Sequence, residues 1–153
     1  MTGPADRLPP IPDEALTPAQ RAAAAALASG PRGKLAGPFI PLLRSPELMD
    51  RVQKLGEYLR FESALPARIK ELAILIVARH WNQGYEWSFH LPLALKAGVA
   101  RETAEAIAEG RRPPALTADE TAAYDLLAEL LETRQVGDDA YAQALTAFGE
   151  AGV

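Results

Sequence analysis

Residues 67–80 read Ala-Arg-Ile-Lys-Glu-Leu-Ala-Ile-Leu-Ile-Val-Ala-Arg-His, and this stretch decides the fold. Pro66 stands just before it, a residue that fits the first turn of a helix, and residues 72–78 are an unbroken apolar run. A helix that is apolar on most sides has to be covered on most sides. We therefore predict that Pro66 opens a helix that runs to about Trp81 and is the buried central helix of an all-α protein.

The stretch that follows, residues 82–98, reads Asn-Gln-Gly-Tyr-Glu-Trp-Ser-Phe-His-Leu-Pro-Leu-Ala-Leu-Lys-Ala-Gly. Gly84 separates it from the central helix, and Gly98 fits the left-handed position that ends many helices. Residues 85–97 are therefore predicted to be a second helix, which folds back on the first as a hairpin. Pro92 removes one backbone donor from this helix and predicts a kink.

The remaining sequence predicts further helices and no strand. Thr17-Pro18 and Ser45-Pro46 are typical helix starts, and Thr117 with Glu120 forms a capping box. The predicted helices cover residues 19–29, 46–61, 101–109, 117–134 and 139–148. In the second of them, an apolar stripe recurs with helical spacing at Leu48, Val52, Leu55 and Leu59. No alternation of polar and apolar residues indicates a strand.

Composition limits the domain organisation and the partners. A chain of 153 residues with 48% hydrophobic residues can bury one sizeable core. We predict an extended, proline-containing arm at residues 1–16 and a single domain at residues 17–153. A formal net charge of -4 argues against nucleic acid as a partner. The short apolar runs and the lack of a signal-peptide pattern predict a cytoplasmic protein without membrane contact.

The chain has no cysteine. Disulfides, thiolate metal sites and thiol peroxidase chemistry each need a sulfur atom, so all three are excluded.

Three side chains are predicted to form a proton-transfer site. Glu86 and His90 are four residues apart, which places a carboxylate and an imidazole on one helix face, and Glu71 lies in the preceding helix. A carboxylate beside a histidine orients the ring for general acid or base catalysis. Two alternatives stay open: an ordinary helix pair without chemistry, and a facial metal site of two carboxylates and an imidazole. We predict no metal, because proton transfer needs none.

Four neighbouring residues are candidates for substrate binding, each with a structural alternative. Gln83 is either a ligand for a substrate oxygen or a polar residue at a helix start. Tyr85 and Trp87 flank Glu86 and are either a pocket wall or core aromatics. Arg79 is either a clamp for a substrate carboxylate or an ordinary solvated or ion-paired arginine, and the sequence does not distinguish it in this role from Arg44 and Arg68.

The hairpin sequence resembles the carboxymuconolactone decarboxylase and alkylhydroperoxidase family. In the thiol branch of that family, a glutamate precedes a Cys-x-x-Cys-x-x-x-His motif. Aligned on His90, the two cysteine positions fall on Gln83 and Glu86, and the upstream glutamate falls on Glu71. The chain is similar to a cysteine-free subgroup in which Tyr-Glu-Trp-x-x-His replaces the redox motif, and the similarity extends over residues 37–153.

The resemblance implies a helical bundle of the alkylhydroperoxidase-like type that assembles as a dimer, trimer or hexamer. It also implies a cofactor-independent lyase that uses a Glu/His proton relay on a small carboxylated lactone or a related organic acid. His90 would be the main acid or base, Glu86 its partner and Glu71 a relay carboxylate. The alternative is a non-catalytic oligomeric helical protein that keeps the fold as a ligand-binding or structural protein.

Overall fold

The computed structural model describes residues 6–153, and this part of the chain is all-α, as predicted, with no strand. Its α-helices are α1 (Pro18–Ser29), α2 (Phe39–Leu42), α3 (Pro46–Glu57), α4 (Ala67–His80), α5 (Gly84–Ala97), α6 (Arg101–Ala108), α7 (Ala118–Thr133) and α8 (Asp138–Phe148). A 3-10 turn at Asp13–Ala15 precedes α1, and a π-helical turn at Tyr58–Glu62 continues α3. None of these helices combines the length and hydrophobicity that a bilayer crossing requires.

The chain divides into two compact units, one ending at Ser63 and the other comprising Ala64–Val153. The predicted N-terminal arm falls partly outside the described residues, because only residues 6–16 of it are described. That residues 17–153 form a single domain stays a prediction.

The first unit is built from α1, α2 and α3. Thr17 and Gln20 form a reciprocal capping box that starts α1, with the Thr17 backbone N–H donating to the Gln20 side-chain oxygen over 3.0 Å. The core of the unit consists of buried apolar side chains from all three helices and the segment that follows α2: Leu27, Phe39, Leu43 and Met49.

The apolar stripe of α3 is present, but it is not the buried side of the helix. Leu48, Val52, Leu55 and Leu59 are 51%, 37%, 61% and 54% exposed, whereas Met49 and Gln53 are buried. The rotation of α3 is therefore set by Met49, which joins the core of the first unit. The leucines face outward.

The second unit is organised around the α4–α5 hairpin. Asn82 takes up a left-handed conformation (φ 50°), and the Gln83 backbone N–H donates to the Ala78 carbonyl over 2.8 Å, which closes the end of α4. Gly98 ends α5 at φ 100°, the left-handed cap that the sequence predicts. The core is a cluster of buried residues from α4, α5 and α6 and the α5–α6 turn: Leu72, Leu75, Ile76, Ala94, Val99, Ala104 and Ile107.

Helix α7 packs against this core through Tyr124, Leu127 and Leu131. An ion-pair cluster holds its N-terminus to the start of α4. Arg68 contacts Asp119 over 2.6 Å and the buried Glu120 over 2.5 Å. Glu120 also accepts a hydrogen bond from the Thr117 backbone N–H over 3.0 Å, which forms part of the predicted capping box.

The pKa values of both carboxyls in this cluster are lowered. For Asp119, the main cause is the hydrogen bond from the Thr117 hydroxyl, supported by Arg68. Burial acts to raise the pKa of Glu120, but the hydrogen bonds from Thr117 and Arg68 outweigh it. A carboxyl with a lowered folded-state pKa adds stability above its unfolded-state pKa and loses that stability as the pH falls through the folded value.

Glu120→Gln should lower the free energy of unfolding at pH 7 by about 2 kcal/mol, because it leaves the partly buried Arg68 with a weaker partner. The difference between wild type and variant should begin to shrink as the pH falls below about 4.3, the ordinary pKa of a glutamate carboxyl, and should be lost once the pH is below the lowered folded-state pKa of Glu120. Urea unfolding measured across this pH range tests both statements. The matched control is Glu109→Gln, which removes a surface pair with Arg111 and should change stability by less than about 1 kcal/mol. Equal effects of the two substitutions would contradict the assignment.

Candidate functional site

The α4–α5 hairpin brings Glu71 and His90 into direct contact. The Nδ1 atom of His90 lies 2.8 Å from Oε2 of Glu71, a hydrogen-bond distance. The side chain of His90 is only 9% exposed, and that of Glu71 is 12% exposed. Because they come from the two arms of the hairpin, the bond depends on how the two helices are rotated against each other.

Glu86 lies on the other side of the imidazole. Its Oε2 atom is 3.5 Å from Nε2 of His90, within ion-pair range but longer than a good hydrogen bond. Its side chain is 37% exposed. The three groups therefore run from an enclosed carboxylate, through a buried imidazole, to a carboxylate that water reaches. All three predicted catalytic side chains are brought together.

This geometry gives the two ring nitrogens different surroundings. Because a carboxylate only accepts hydrogen bonds, we expect Nδ1 to carry the proton that is donated to Glu71, and this contact fixes the orientation of the ring. Nε2 then points to the more open side, where Glu86 stands, and is the nitrogen that can exchange a proton with a bound molecule or with water. The arrangement is that of a histidine acid or base held from behind by a carboxylate.

Two aromatic rings border the same part of α5. Tyr85 and Phe89 stack on each other with ring centroids 6.2 Å apart, and the Phe89 ring meets the His90 ring edge-on at 5.1 Å. Both aromatic side chains are exposed. The sequence analysis predicted Tyr85 as a binding residue and did not name Phe89. The spacing of four from Tyr85 and the position next to His90 could have indicated Phe89 as well.

The other predicted binding residues lie in different surroundings. Gln83 is exposed and occupies the N-cap position of α5 without a side-chain capping bond. Trp87 is partly buried and packs against the core of the second unit. Arg79 donates through Nε to the Ala108 carbonyl at the end of α6, over 2.7 Å. A substrate contact by any of these three stays a prediction.

Within residues 6–153, no group of three or more histidine, cysteine, aspartate or glutamate side chains is arranged to hold a metal ion. A groove of about 920 Å³ lies in the first unit between α1 and the start of α3, and none of the three proton-transfer side chains lines it.

Comparison with known proteins agrees with the all-α fold. Residues 46–129, more than half of the chain, match the model of the carboxymuconolactone decarboxylase family, and this region includes Glu71, Glu86 and His90. The chain belongs to the carboxymuconolactone decarboxylase family. No curated protein and no solved structure matches the chain.

The Glu71 contact predicts the tautomer of His90. With the ring in its neutral form, the proton should reside on Nδ1, because the Glu71 carboxylate accepts from that atom over 2.8 Å. Glu71→Leu removes the acceptor and should shift the tautomer population towards Nε2–H. Nitrogen-15 NMR of the ring nitrogens measures this, and exposed His80, the other histidine of the chain, is the internal control. A wild-type His90 ring with its proton on Nε2 would contradict the proposed orientation.

Proposed function

We propose that this protein is a cofactor-independent lyase, similar in reaction to carboxymuconolactone decarboxylase, that moves a proton on a small carboxylated lactone or a related organic acid. The observation that carries the proposal is the contact of a buried imidazole with two carboxylates, one enclosed at 2.8 Å and one partly exposed at 3.5 Å. Membership of the carboxymuconolactone decarboxylase family supports the reaction class.

Loss of carbon dioxide from such a substrate breaks a carbon–carbon bond and leaves an electron pair on the remaining carbon. In the proposed step, Nε2 of protonated His90 donates its proton to that carbon as the bond breaks. The ring keeps its Nδ1 proton, which Glu71 holds. Glu86, at the exposed side of the ring, returns a proton from water to Nε2 and resets the site. Overall, a carboxylate and one proton become carbon dioxide and a protonated product.

The roles of the two glutamates differ in this proposal. Glu71 is a positioning residue, because it contacts the ring nitrogen that faces away from the reacting atom. Glu86 stands beside Nε2 and so exchanges protons with both the ring and water. This order differs from the sequence interpretation, which made Glu86 the main partner of His90 and Glu71 the relay.

The alternative function is a non-catalytic oligomeric protein that binds a ligand or supports an assembly. The partial exposure of Glu86 and the exposed pair Tyr85 and Phe89 favour it, because an open site holds a small substrate weakly. Homo-oligomerisation is part of both proposals. A cytoplasmic location and the absence of a nucleic-acid partner stay predictions from composition.

Turnover should depend on His90 most strongly. Against a panel of carboxylated lactones and small organic acids, His90→Gln should lower kcat/KM by about a hundred- to ten-thousand-fold, the usual contribution of a general acid. Circular dichroism and oligomer size should stay unchanged. A folded, assembled and fully active His90→Gln protein would refute the mechanism, and a wild type that binds members of the panel without turning them over would favour the binding alternative.

The different roles of Glu71 and Glu86 should be visible in how kcat of their variants depends on pH and on added carboxylic acids. Glu71→Gln should lower kcat at every pH, because the ring loses its fixed orientation. Glu86→Gln should lower kcat less in water and should be partly rescued by added small carboxylic acids, which replace an exposed proton carrier. The measurement is kcat against pH with and without the added acid. Rescue of Glu71→Gln with no rescue of Glu86→Gln would reverse the assigned roles.

Thiol-dependent peroxide reduction should be absent. Gln83 and Glu86 occupy the positions that match the redox cysteines of the family. The chain has no cysteine anywhere that could take over their role. A peroxidase assay coupled to a dithiol reductant should give the rate of a protein-free blank. A rate above the blank that is lost in Glu86→Gln would contradict this expectation.

A further inference from the structure

Arg32 lies in the loop between α1 and α2, and its side chain packs back onto the first unit. The guanidinium carbon is 4.7 Å from the centre of the Phe39 ring, a distance typical of a cation–π contact. The guanidinium also lies against Gly56 of α3, because a Cβ atom at this glycine would come within 2.7 Å of Nη2 of Arg32. An aromatic ring and the backbone of a helix therefore hold the guanidinium in place.

The Nε atom of Arg32 is buried and has no hydrogen-bond partner among residues 6–153. A buried donor without an acceptor costs stability, so such groups are rare in folded proteins and call for an explanation. The arginines that clamp the second unit differ in this respect, because Arg68, Arg79 and Arg112 each donate to an oxygen of a neighbouring helix or loop. The contacts of Arg32 place its guanidinium without using its capacity to donate hydrogen bonds.

The charges that act on Arg32 do not balance. Burial lowers the pKa of Arg32, the positive charge of Arg60 lowers it further, and the negative charge of Glu57 acts in the opposite direction. The Glu57 carboxylate lies beside Gly30, where a Cβ atom would come within 3.2 Å of its Oε2 atom. Two guanidinium groups and one carboxylate leave this part of the first unit with one positive charge.

We propose that Arg32, supported by the charge of Arg60, binds the carboxylate of a small organic acid. This inference goes beyond the proposed function, because Arg32 and Arg60 belong to the first unit, whereas Glu71, Glu86 and His90 belong to the second.

Shape and charge both favour a carboxylate as the bound group. A guanidinium presents a planar fork of N–H donors that matches the two oxygens of a carboxylate. The single negative charge of a carboxylate equals the net charge of Arg32, Arg60 and Glu57. A phosphate group is tetrahedral and carries more than one negative charge at pH 7, so it matches this site less well. Part of the Arg32 side chain is exposed, which allows a molecule from solution to reach it.

The first test uses acetate as the probe. Sodium acetate is added to the wild-type protein up to about 0.1 M, with sodium chloride keeping the ionic strength and therefore the screening constant. The NMR signals of the Arg32 Nε–H group and the Gly56 backbone amide should shift and reach saturation. Arg32→Lys keeps the charge and loses the planar fork, so it should weaken acetate binding about tenfold or more at the Gly56 amide.

Two further arginine variants complete this experiment. Arg60→Gln should weaken acetate binding about two- to fivefold, the effect of one partly exposed charge. Arg51→Lys is the matched control for Arg32→Lys, because Arg51 is an exposed arginine of α3 that pairs with Glu47 over 2.6 Å. It should bind acetate as wild type does.

Gly56→Ala tests the position of the guanidinium separately from its charge. The added methyl group would meet Nη2 of Arg32 and push the end of the side chain aside, while every charge is kept. Acetate binding should weaken about fivefold or more. Urea unfolding should show no loss of stability, because alanine favours a helix more than glycine does. Gly84→Ala is the matched control, because within the described chain its Cβ atom would meet nothing within 4 Å.

Several results would contradict the proposal. Acetate shifts that do not saturate, that persist in Arg32→Lys, or that weaken equally in Arg51→Lys would each overturn the site. Acetate binding by Gly56→Ala that is as tight as in wild type would do the same. Inorganic phosphate that shifts the same signals and binds more tightly than acetate would overturn the carboxylate as the bound group.

Discussion

The burial of Leu72 and Leu75 in the core of the second unit is the constraint on which the site depends. Both side chains are fully buried, so α4 has a fixed rotation about its axis. That rotation places Glu71, the neighbour of Leu72, at the edge of the buried face, where α5 packs. On α5, fully buried Ala94 lies four residues after His90 and keeps the same face inward. Two sets of apolar contacts therefore position the acid and the imidazole 2.8 Å apart.

The same packing explains why a carboxylate and an imidazole are tolerated in so enclosed a place. A charge taken out of water is costly unless a partner satisfies it, and breaking such a pair leaves the remaining group unpaired. Glu71 and His90 satisfy each other, yet a pair of this kind adds little net stability compared with apolar side chains. Its presence at the centre of the hairpin therefore agrees with the proposed role in proton transfer. The Arg68 cluster at the start of α4 differs from this pair, because its contacts cap α7 and hold α7 to α4.

The sequence predicted the α-helices other than α2, which lies in a stretch predicted as a loop, because the boundaries of the others are marked locally. Thr17, Thr117 and Gly98 each carry their signal within a few residues, and each helix boundary falls close to where that signal puts it. The side of α3 that is buried had no such signal. Its leucines form the most apolar face, but Met49 and Gln53 are the buried residues, because burial depends on what the rest of the chain offers to pack against.

The sequence predicted that Glu71, Glu86 and His90 lie together. It did not predict which of the two glutamates is closer to the imidazole. Spacing of four within one helix joins Glu86 to His90, whereas the closer contact, to Glu71, crosses between helices and depends on their rotation.

The two thiol positions of the family carry Gln83 and Glu86 in this chain. In the thiol branch of the family, the residue four before the histidine is a cysteine, which holds and transfers electrons. Here that residue is Glu86, which stands 3.5 Å from Nε2 and is reached by water. A carboxylate at this position can carry a proton but cannot do the redox chemistry of a thiol, so the proposed function assigns acid-base chemistry to this chain. Glu71 and His90 need no change in this exchange, because orienting an imidazole serves either reaction. In the proposed function, the chemical class of the site therefore depends on the residue at its exposed side.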